Sequence, residues 1–118
     1  MTQTMTVDEY KAKLAVDMTE KRLQKDVRKL AQDNGWHVFC WWSSLHSPKG
    51  WPDLVLMRVM TGIWTGWAQM TFIELKSERG IVSPDQEIAL GMLKMTGHAV
   101  HVFRPSDLLN GRIAEALQ

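Results

Sequence analysis

The stretch 72–103 constrains the fold most, because it predicts a strand, a helix and a second strand in direct succession. The first strand ends in FIELK at 72–76, and the second is AVHVF at 99–103. Between them, SPDQ at 83–86 has the cap, the first-turn proline and the acidic first turn of a helix, which Thr96-Gly97 ends. A strand that returns to its sheet through a helix runs parallel to the strand before it. The stretch therefore predicts one parallel strand pair joined by a helix.

Two helices are predicted before this stretch. Thr6 and Glu9 have the spacing of a capping box and begin the first helix. The second helix begins with Glu20, carries apolar residues at i, i+4, i+7 and i+8, and ends at Asn34-Gly35. Its apolar stripe consists of Leu23, Val27, Leu30 and Ala31.

Two further strands and one helix complete the predicted order. The strands are predicted at 36–42 and from Asp53 onward, and the strand that ends in FIELK is predicted to span 67–76. A last helix is predicted from its cap at Ser106 to about Leu117. The first three strands lie close enough in the sequence to form an antiparallel meander. The chain is therefore predicted to be an α/β protein with a mixed central β-sheet flanked by helices.

The composition is that of one globular domain. The chain has 118 residues, of which 45% are hydrophobic and 23% charged, and no segment is repetitive or of low complexity. Its one cysteine, Cys40, cannot form an internal disulfide, and its apolar neighbours predict that it is buried. The N-terminus is polar and no stretch has the roughly 18 apolar residues of a membrane span, so the protein is predicted to be cytoplasmic, without a membrane partner.

Positive charge is unevenly distributed, although the net charge is only +1. Seven of the fourteen Lys and Arg residues lie between Lys11 and Lys29. Such a cluster is either a solvated helix face or a track for phosphate groups, and the sequence leaves both open.

Two tryptophans near the connection between strands also allow two interpretations. Trp64 and Trp67 indicate either an exposed partner surface or ordinary packing, and ordinary packing is favoured.

Three acidic residues stand where apolar ones are expected: Glu20 on the helix stripe, Asp53 before an apolar strand and Glu74 within one. If the second and third strands pair, Asp53 and Glu74 converge, and a divalent cation is the most economical way to hold two carboxylates together. Without a cation, one carboxyl is expected to keep its proton. Oxygen ligands select Mg²⁺ or Mn²⁺, with the Leu75 carbonyl as a further ligand. Lys76 lies on the same strand face as Glu74.

Four segments together resemble a known family: GWPDLVL around Asp53, FIELKSERG around Glu74, SPDQ around Gln86, and GHAVHVFRPSDL near the end. They look like a virus-type replication-repair nuclease domain (VRR-NUC) of the PD-(D/E)XK nuclease superfamily, over about 18–107. The resemblance implies a restriction-endonuclease-like core of order αβββαβ with extra terminal helices. It also implies a single domain over 1–118, in which 1–17 form a helical extension.

The resemblance implies a Mg²⁺-dependent DNA endonuclease, with Mn²⁺ as a substitute ion, of the small stand-alone phage or bacterial type. Such members resemble Holliday-junction resolvases, which implies branched or duplex DNA as the substrate and a homodimer as the assembly. The implied site consists of Asp53, Glu74 and the Leu75 carbonyl as metal ligands, Lys76 as the catalytic lysine, Glu20 holding metal directly or through water, and Gln86 beside them.

The DNA contacts depart from the family pattern. The loop before Gly50 is often richer in Arg and His in relatives, whereas here it offers only His46 and Lys49. Lys21 and Lys25, on the second helix, are further candidates for phosphate contact.

Each assignment has a structural alternative, in which the residue serves the fold alone. Glu20 could form a capping box with Asp17, and Asp53 could cap the turn after Pro52. Glu74 and Lys76 could be an exposed pair on an edge strand. Gln86 could serve only to close the cap of its helix.

Two other functions also fit the sequence. One is a DNA-binding or assembly module that keeps the fold without turnover. The other is a structural phage or bacterial protein without a nucleic-acid role. Zinc is not expected, because His37, His98 and His101 lack a ligand spacing with Cys40.

Overall fold

A computed structural model of the protein describes residues 4–40, 48–60 and 66–118. The described residues form five helices and four strands. In chain order they are α1 (Val7–Asp17), α2 (Glu20–Asp33), β1 (His37–Cys40), β2 (Leu54–Met60), β3 (Trp67–Leu75), α3 (Pro84–Met95), β4 (Ala99–Phe103), α4 (Pro105–Leu109) and α5 (Arg112–Ala116).

The strands form one mixed sheet in the order β1-β2-β3-β4. β1, β2 and β3 pair antiparallel, whereas β3 and β4 pair parallel through α3. The structure thus confirms the predicted meander, the parallel crossover and the mixed α/β sheet flanked by helices. The equivalence of this sheet to a PD-(D/E)XK core stays a prediction.

The main core lies between α2 and one face of the sheet, which we call the inner face. Alternate strand residues point to it, including Leu54 and Leu56 of β2 and Ile73 of β3, all fully buried. Each such side chain stabilises the fold by roughly 1.5–3 kcal/mol through burial. The core consists of Leu23, Val27, Ala31, Trp36, Leu54, Leu56, Ile73, Leu75, Phe103, Ile113 and Leu117.

Cap residues explain where α1 begins and where α2 begins and ends. Thr6 and Glu9 form both hydrogen bonds of the predicted capping box of α1. α2 begins one residue after Thr19, whose hydroxyl accepts a hydrogen bond from the Arg22 amide at 3.1 Å. The proposed box between Asp17 and Glu20 is therefore wrong. α2 ends at the predicted stop, where Gly35 has a positive φ of 83°.

The prediction of one last helix capped by Ser106 is wrong. The chain instead forms the short helices α4 and α5, separated at Asn110-Gly111, where Gly111 has a φ of 84°. Pro105 takes the first helical position of α4, since its fixed φ suits that position. The Asp107 carboxylate accepts a hydrogen bond from the Arg104 amide at 2.8 Å and closes the turn.

Two predictions about burial are also wrong. Cys40 is exposed, because it ends β1, a short strand at the edge of the sheet. Trp67 is 56% exposed at the start of β3, so ordinary packing does not describe it. Trp64 lies outside the described residues, as do Trp41 and Trp42 at the end of the predicted first strand. None of the helices in the described ranges is long and apolar enough to cross a membrane.

Candidate active site

Asp53 and Glu74 come together on the outer face of the sheet, opposite the main core. β2 and β3 pair with Leu54 across from Ile73, so the next residues along are Asp53 and Glu74. The Asp53 carboxylate accepts a hydrogen bond from the Leu75 amide at 2.8 Å and lies within hydrogen-bonding reach of the Glu74 carboxyl. Asp53 thus binds across the sheet and does not simply cap the turn after Pro52.

Glu74 is almost completely buried, with 2% of its surface exposed. Its Oε1 accepts a hydrogen bond from Gln86 Nε2 at 3.1 Å and lies 3.8 Å from Lys76 Nζ. Its Oε2 is buried and has no hydrogen-bond partner among the described residues. A buried carboxylate oxygen without a donor is costly, so it requires a proton or a cation.

The surroundings of Glu74 favour its neutral form. Burial is the largest cause that raises its pKa. Asp53 raises it further, because its carboxylate can accept a hydrogen bond from a protonated Glu74 and because its negative charge disfavours a second one. Lys76 acts in the opposite direction, but the pKa still rises from 4.5 to about 8. The sequence-based expectation that one of the two carboxyls keeps its proton without a cation agrees with this rise.

The arrangement fits a hard divalent cation. Two acidic side chains within reach of each other, one with an unpartnered buried oxygen, are the oxygen donors that Mg²⁺ and Mn²⁺ prefer. Across residues 4–40, 48–60 and 66–118, no group of three or more His, Cys, Asp or Glu side chains could hold an ion. The Leu75 carbonyl therefore stays a predicted third ligand, and solvent would complete the shell, as is usual for Mg²⁺.

Lys76 follows β3 on the face that carries Glu74. Its side chain is only 14% exposed, and β3 lies between β2 and β4 in the sheet. The alternative of an exposed pair on an edge strand is therefore wrong. A half-buried ammonium beside Glu74 can also interact with a further negative group, such as a phosphate oxygen.

Gln86 combines the two roles that the sequence left open. Its Oε1 accepts a hydrogen bond from the Ser83 amide at 2.9 Å, which closes the capping box of α3. This bond leaves the amide nitrogen to donate to Glu74. The helix cap thereby orients the Gln86 side chain toward the candidate site.

Glu20 reaches the edge of the site from α2. It is exposed at the first position of the helix, and its Oε1 accepts a hydrogen bond from the Ser77 amide at 3.3 Å, next to Lys76. Its negative charge also raises the pKa of Glu74. The structure thus brings Glu20 near Asp53 and Glu74, although it does not complete a metal cluster.

The loop before Asp53 packs against the start of α3. Gly50 has a φ of 80°, and a Cβ there would lie 2.5 Å from the Asp85 carbonyl oxygen. Lys49 is 85% exposed and pairs with Asp85 at 3.2 Å. Only glycine permits this approach, which holds the Asp53 loop beside Gln86. His46 lies outside the described residues.

The predicted phosphate contacts lie along α2. Lys21 and Lys25 are exposed and line one open hollow of about 760 Å³, together with Arg28. Arg22 and Lys29 each pair with an aspartate four residues later, whereas Lys21, Lys25 and Arg28 form no ion pair with any described residue. We call these three residues the basic stripe.

Arg104 is a site residue that the sequence did not single out. One guanidinium nitrogen donates to the carbonyls of Ser77 and Gly80, at 2.8 and 2.6 Å. Arg104 therefore holds the turn directly after Lys76. RP at 104–105 marks a helix start, but no local pattern indicates carbonyl partners more than twenty residues earlier.

In metal-free protein, the raised pKa of Glu74 is expected to make stability fall as the pH rises. Between about pH 4.5 and pH 8, Glu74 keeps its proton in the folded state but has lost it in the unfolded chain. The contribution of this proton to the free energy of unfolding is therefore complete below pH 4.5 and is lost as the pH rises through 8. Glu74→Gln, which needs no proton, should be more stable than wild type at high pH by roughly 1–3 kcal/mol. Urea unfolding in EDTA at several pH values measures this difference, and parallel curves for the two proteins would contradict it.

Comparison with known proteins identifies one family. The family model of the VRR-NUC domain matches residues 3–107 of the chain. No curated protein and no solved structure gives a significant match. The match includes every residue of the candidate site and α1 as well.

Proposed function

This chain belongs to the VRR-NUC family, a nuclease-type domain family, and we propose that it is a divalent-metal-dependent endonuclease that hydrolyses DNA phosphodiester bonds. One observation carries the proposal. Glu74 is buried beside Asp53 with an unpartnered oxygen, an arrangement that costs stability unless a cation or a proton occupies it. Costly groups of this kind concentrate at functional sites.

The residues around this pair have distinct proposed roles. Asp53, Glu74 and the Leu75 carbonyl hold the ion, which when bound lowers the pKa of a water molecule and stabilises charge on the phosphate. Lys76 binds the phosphate or orients the water and balances developing negative charge. The Gln86 hydrogen bond fixes the orientation of the Glu74 carboxylate, and Glu20 borders the site.

DNA is the substrate of a nuclease domain of this family, and we propose that its backbone lies along the basic stripe of α2. Glu20 brings the start of α2 to the turn after Lys76, so the stripe begins near the candidate site. Lys49, exposed on the loop before Asp53, supplies a further contact, and His46 stays a predicted one.

Neutralising the basic stripe is expected to weaken DNA binding and to reduce its salt dependence. The variant Lys21→Gln/Lys25→Gln/Arg28→Gln should lower the slope of log K against log salt by about 0.9 for each lost duplex phosphate contact. Arg22→Gln/Lys29→Gln, which removes two charges already paired with aspartates, is the control. Fluorescence anisotropy with EDTA at several salt concentrations measures both slopes, and equal slopes for the two variants would exclude the stripe from the interface.

We further propose that the enzyme prefers branched DNA and acts as a homodimer. The support is the resemblance to small stand-alone members of the family, in which two sites are needed to cut two strands. Sedimentation equilibrium tests the dimer, and a monomer at the concentrations used for cleavage would exclude it.

The test of the proposed function is cleavage of labelled four-way, flap, duplex and single-stranded DNA with Mg²⁺, Mn²⁺ or EDTA. Products that require a divalent ion support the proposal, and the preferred DNA identifies the substrate. DNA binding without product under every condition would favour the alternative, a catalytically silent binding or assembly module.

A further inference from the structure

An apolar hollow lies on the outer face of the sheet beside the candidate site. It has a volume of about 320 Å³, at the lower end of the roughly 300–1,000 Å³ typical of ligand sites. We call it the sheet groove, and its lining includes Phe39 of β1, Trp51 before β2, and Val55 and Met57 of β2.

The two faces of the sheet differ in how well they are covered. Leu54 and Leu56, on the inner face, are completely buried, whereas Val55 and Met57, on the outer face, are only partly buried. Phe39, paired with Val55 across the strands, is 50% exposed. One exposed aromatic ring beside partly exposed apolar side chains forms a continuous apolar patch next to a functional site, and such a patch typically marks a binding surface.

The groove is continuous with the candidate site. Trp51 packs edge-on against Phe72, with ring centroids 5.8 Å apart. Each ring belongs to a residue two positions before a carboxylate of the site, Trp51 before Asp53 and Phe72 before Glu74. Phe72 and Glu74 are two residues apart in β3, which corresponds to about 7 Å, so the aromatic pair that borders the groove lies about one such step from Glu74.

Basic side chains border this apolar surface. His37 is exposed on β1 and pairs with Met57, which places it on the outer face. Lys49 lies two residues before Trp51, is 85% exposed and pairs with Asp85 at 3.2 Å, so it can bind a phosphate only by exchanging that partner. An aromatic floor with basic edges matches a nucleotide, which joins a flat aromatic base to a phosphate.

We infer that the sheet groove binds an unpaired DNA base next to the phosphate that is cleaved, an inference that rests on the proposed nuclease function. The base and the scissile phosphate are parts of one covalent chain. When the phosphate lies at the carboxylates, the base of the same or the neighbouring nucleotide is therefore within reach of the groove. A base inside a duplex is stacked on both faces and cannot enter, whereas an unpaired base can stack on Phe39, whose side chain is 50% exposed. The groove thereby selects DNA that is unpaired at the cleavage position.

The test combines one protein change with one DNA change. Phe39→Leu keeps an apolar side chain but removes the ring, and a duplex with one unpaired base is compared with the same duplex that carries an abasic residue there. With EDTA, wild type is expected to bind the intact DNA roughly 5- to 100-fold more tightly than the abasic DNA. For Phe39→Leu this preference should largely disappear, because the two changes remove the same contact.

Two further variants serve as controls. Phe39→Trp retains an aromatic ring and is expected to keep the preference for the unpaired base. Val59→Ala alters an exposed residue of β2 that does not line the groove, and this variant is expected to bind both DNAs as wild type does. If Phe39→Leu weakens the binding of both DNAs equally, the inference is overturned. It is also overturned if wild type self-associates and Phe39→Leu abolishes that association, because a second copy of the chain would then cover the groove.

The binding measurement separates this inference from the proposed function. It contains no divalent ion, so it reports base recognition even for a protein that does not cleave. Metal-dependent cleavage without base preference would refute the groove alone. Base preference without cleavage would refute the nuclease proposal and retain the groove as a binding site.

Discussion

Replacing Glu74 with glutamine is expected to reduce DNA cleavage to the background rate. Glutamine preserves the size of the side chain and can still accept a hydrogen bond from Gln86, but it removes the negative charge that would hold a divalent cation beside Asp53. Enzymes supply rate factors of up to about 10¹⁷ for unreactive substrates, so loss of the ion removes most of the available catalysis. Single-turnover cleavage of the preferred DNA with Mg²⁺ measures the effect.

A second readout shows whether the loss arises from the cation. Mg²⁺ is expected to raise the melting temperature of wild type, since a ligand that binds only the folded state stabilises it, and to leave Glu74→Gln almost unchanged. Glu87→Gln alters an exposed acid in the first turn of α3 and should behave as wild type in both experiments. Wild-type cleavage by Glu74→Gln would remove Glu74 from the mechanism.

The convergence of Asp53 and Glu74 could be predicted from the sequence because each is an anomaly in a clear local pattern. Asp53 precedes one apolar strand and Glu74 lies within the next, so both strands could be located in the sequence. Their antiparallel pairing then places the two acids opposite each other. The same holds for α3, whose cap was readable from Ser83 and Gln86. Strong local signals and short connections thus determined this part of the molecule.

Other features depend on contacts between distant parts of the chain. Glu20 meets Ser77 and Arg104 holds the turn after Lys76, although no periodicity connects these positions. The sheet groove arises because one face of β2 is covered less than the other, which alternation of apolar residues does not reveal. These features become visible only when the strands and helices are packed.

The break between α4 and α5 is different, since a signal for it was present. Asn110-Gly111 repeats the pair that ends α2 at Asn34-Gly35, and both glycines have positive φ angles. Such a pair ends a helix because glycine adopts the left-handed conformation at little cost. The cap at Ser106 favoured one helix to about Leu117, but the stop signal at Asn110-Gly111 was stronger.

Lys76→Ala is expected to lower the cleavage rate by roughly 10²–10⁴-fold without preventing metal binding. The Lys76 ammonium lies 3.8 Å from Glu74 Oε1 and its side chain is only 14% exposed, so its charge is held close to the carboxylate. Its loss removes one group that stabilises charge or orients a water molecule, and such groups contribute effects of this size. The melting-temperature shift produced by Mg²⁺ should remain, which distinguishes this variant from Glu74→Gln.

The pH dependence of the same variant tests how Lys76 acts on its neighbour. The positive charge of Lys76 lowers the pKa of Glu74, so its removal should raise that pKa and move the acidic limb of the pH–rate profile to higher pH. Lys94→Ala removes an exposed lysine from the last turn of α3 and serves as the control for a simple loss of charge. A reduced rate with an unshifted acidic limb would mean that Lys76 acts on the substrate alone. An unchanged rate would mean that the lysine only offsets the buried negative charge of Glu74, and catalysis would then have to come from the cation and the carboxylates.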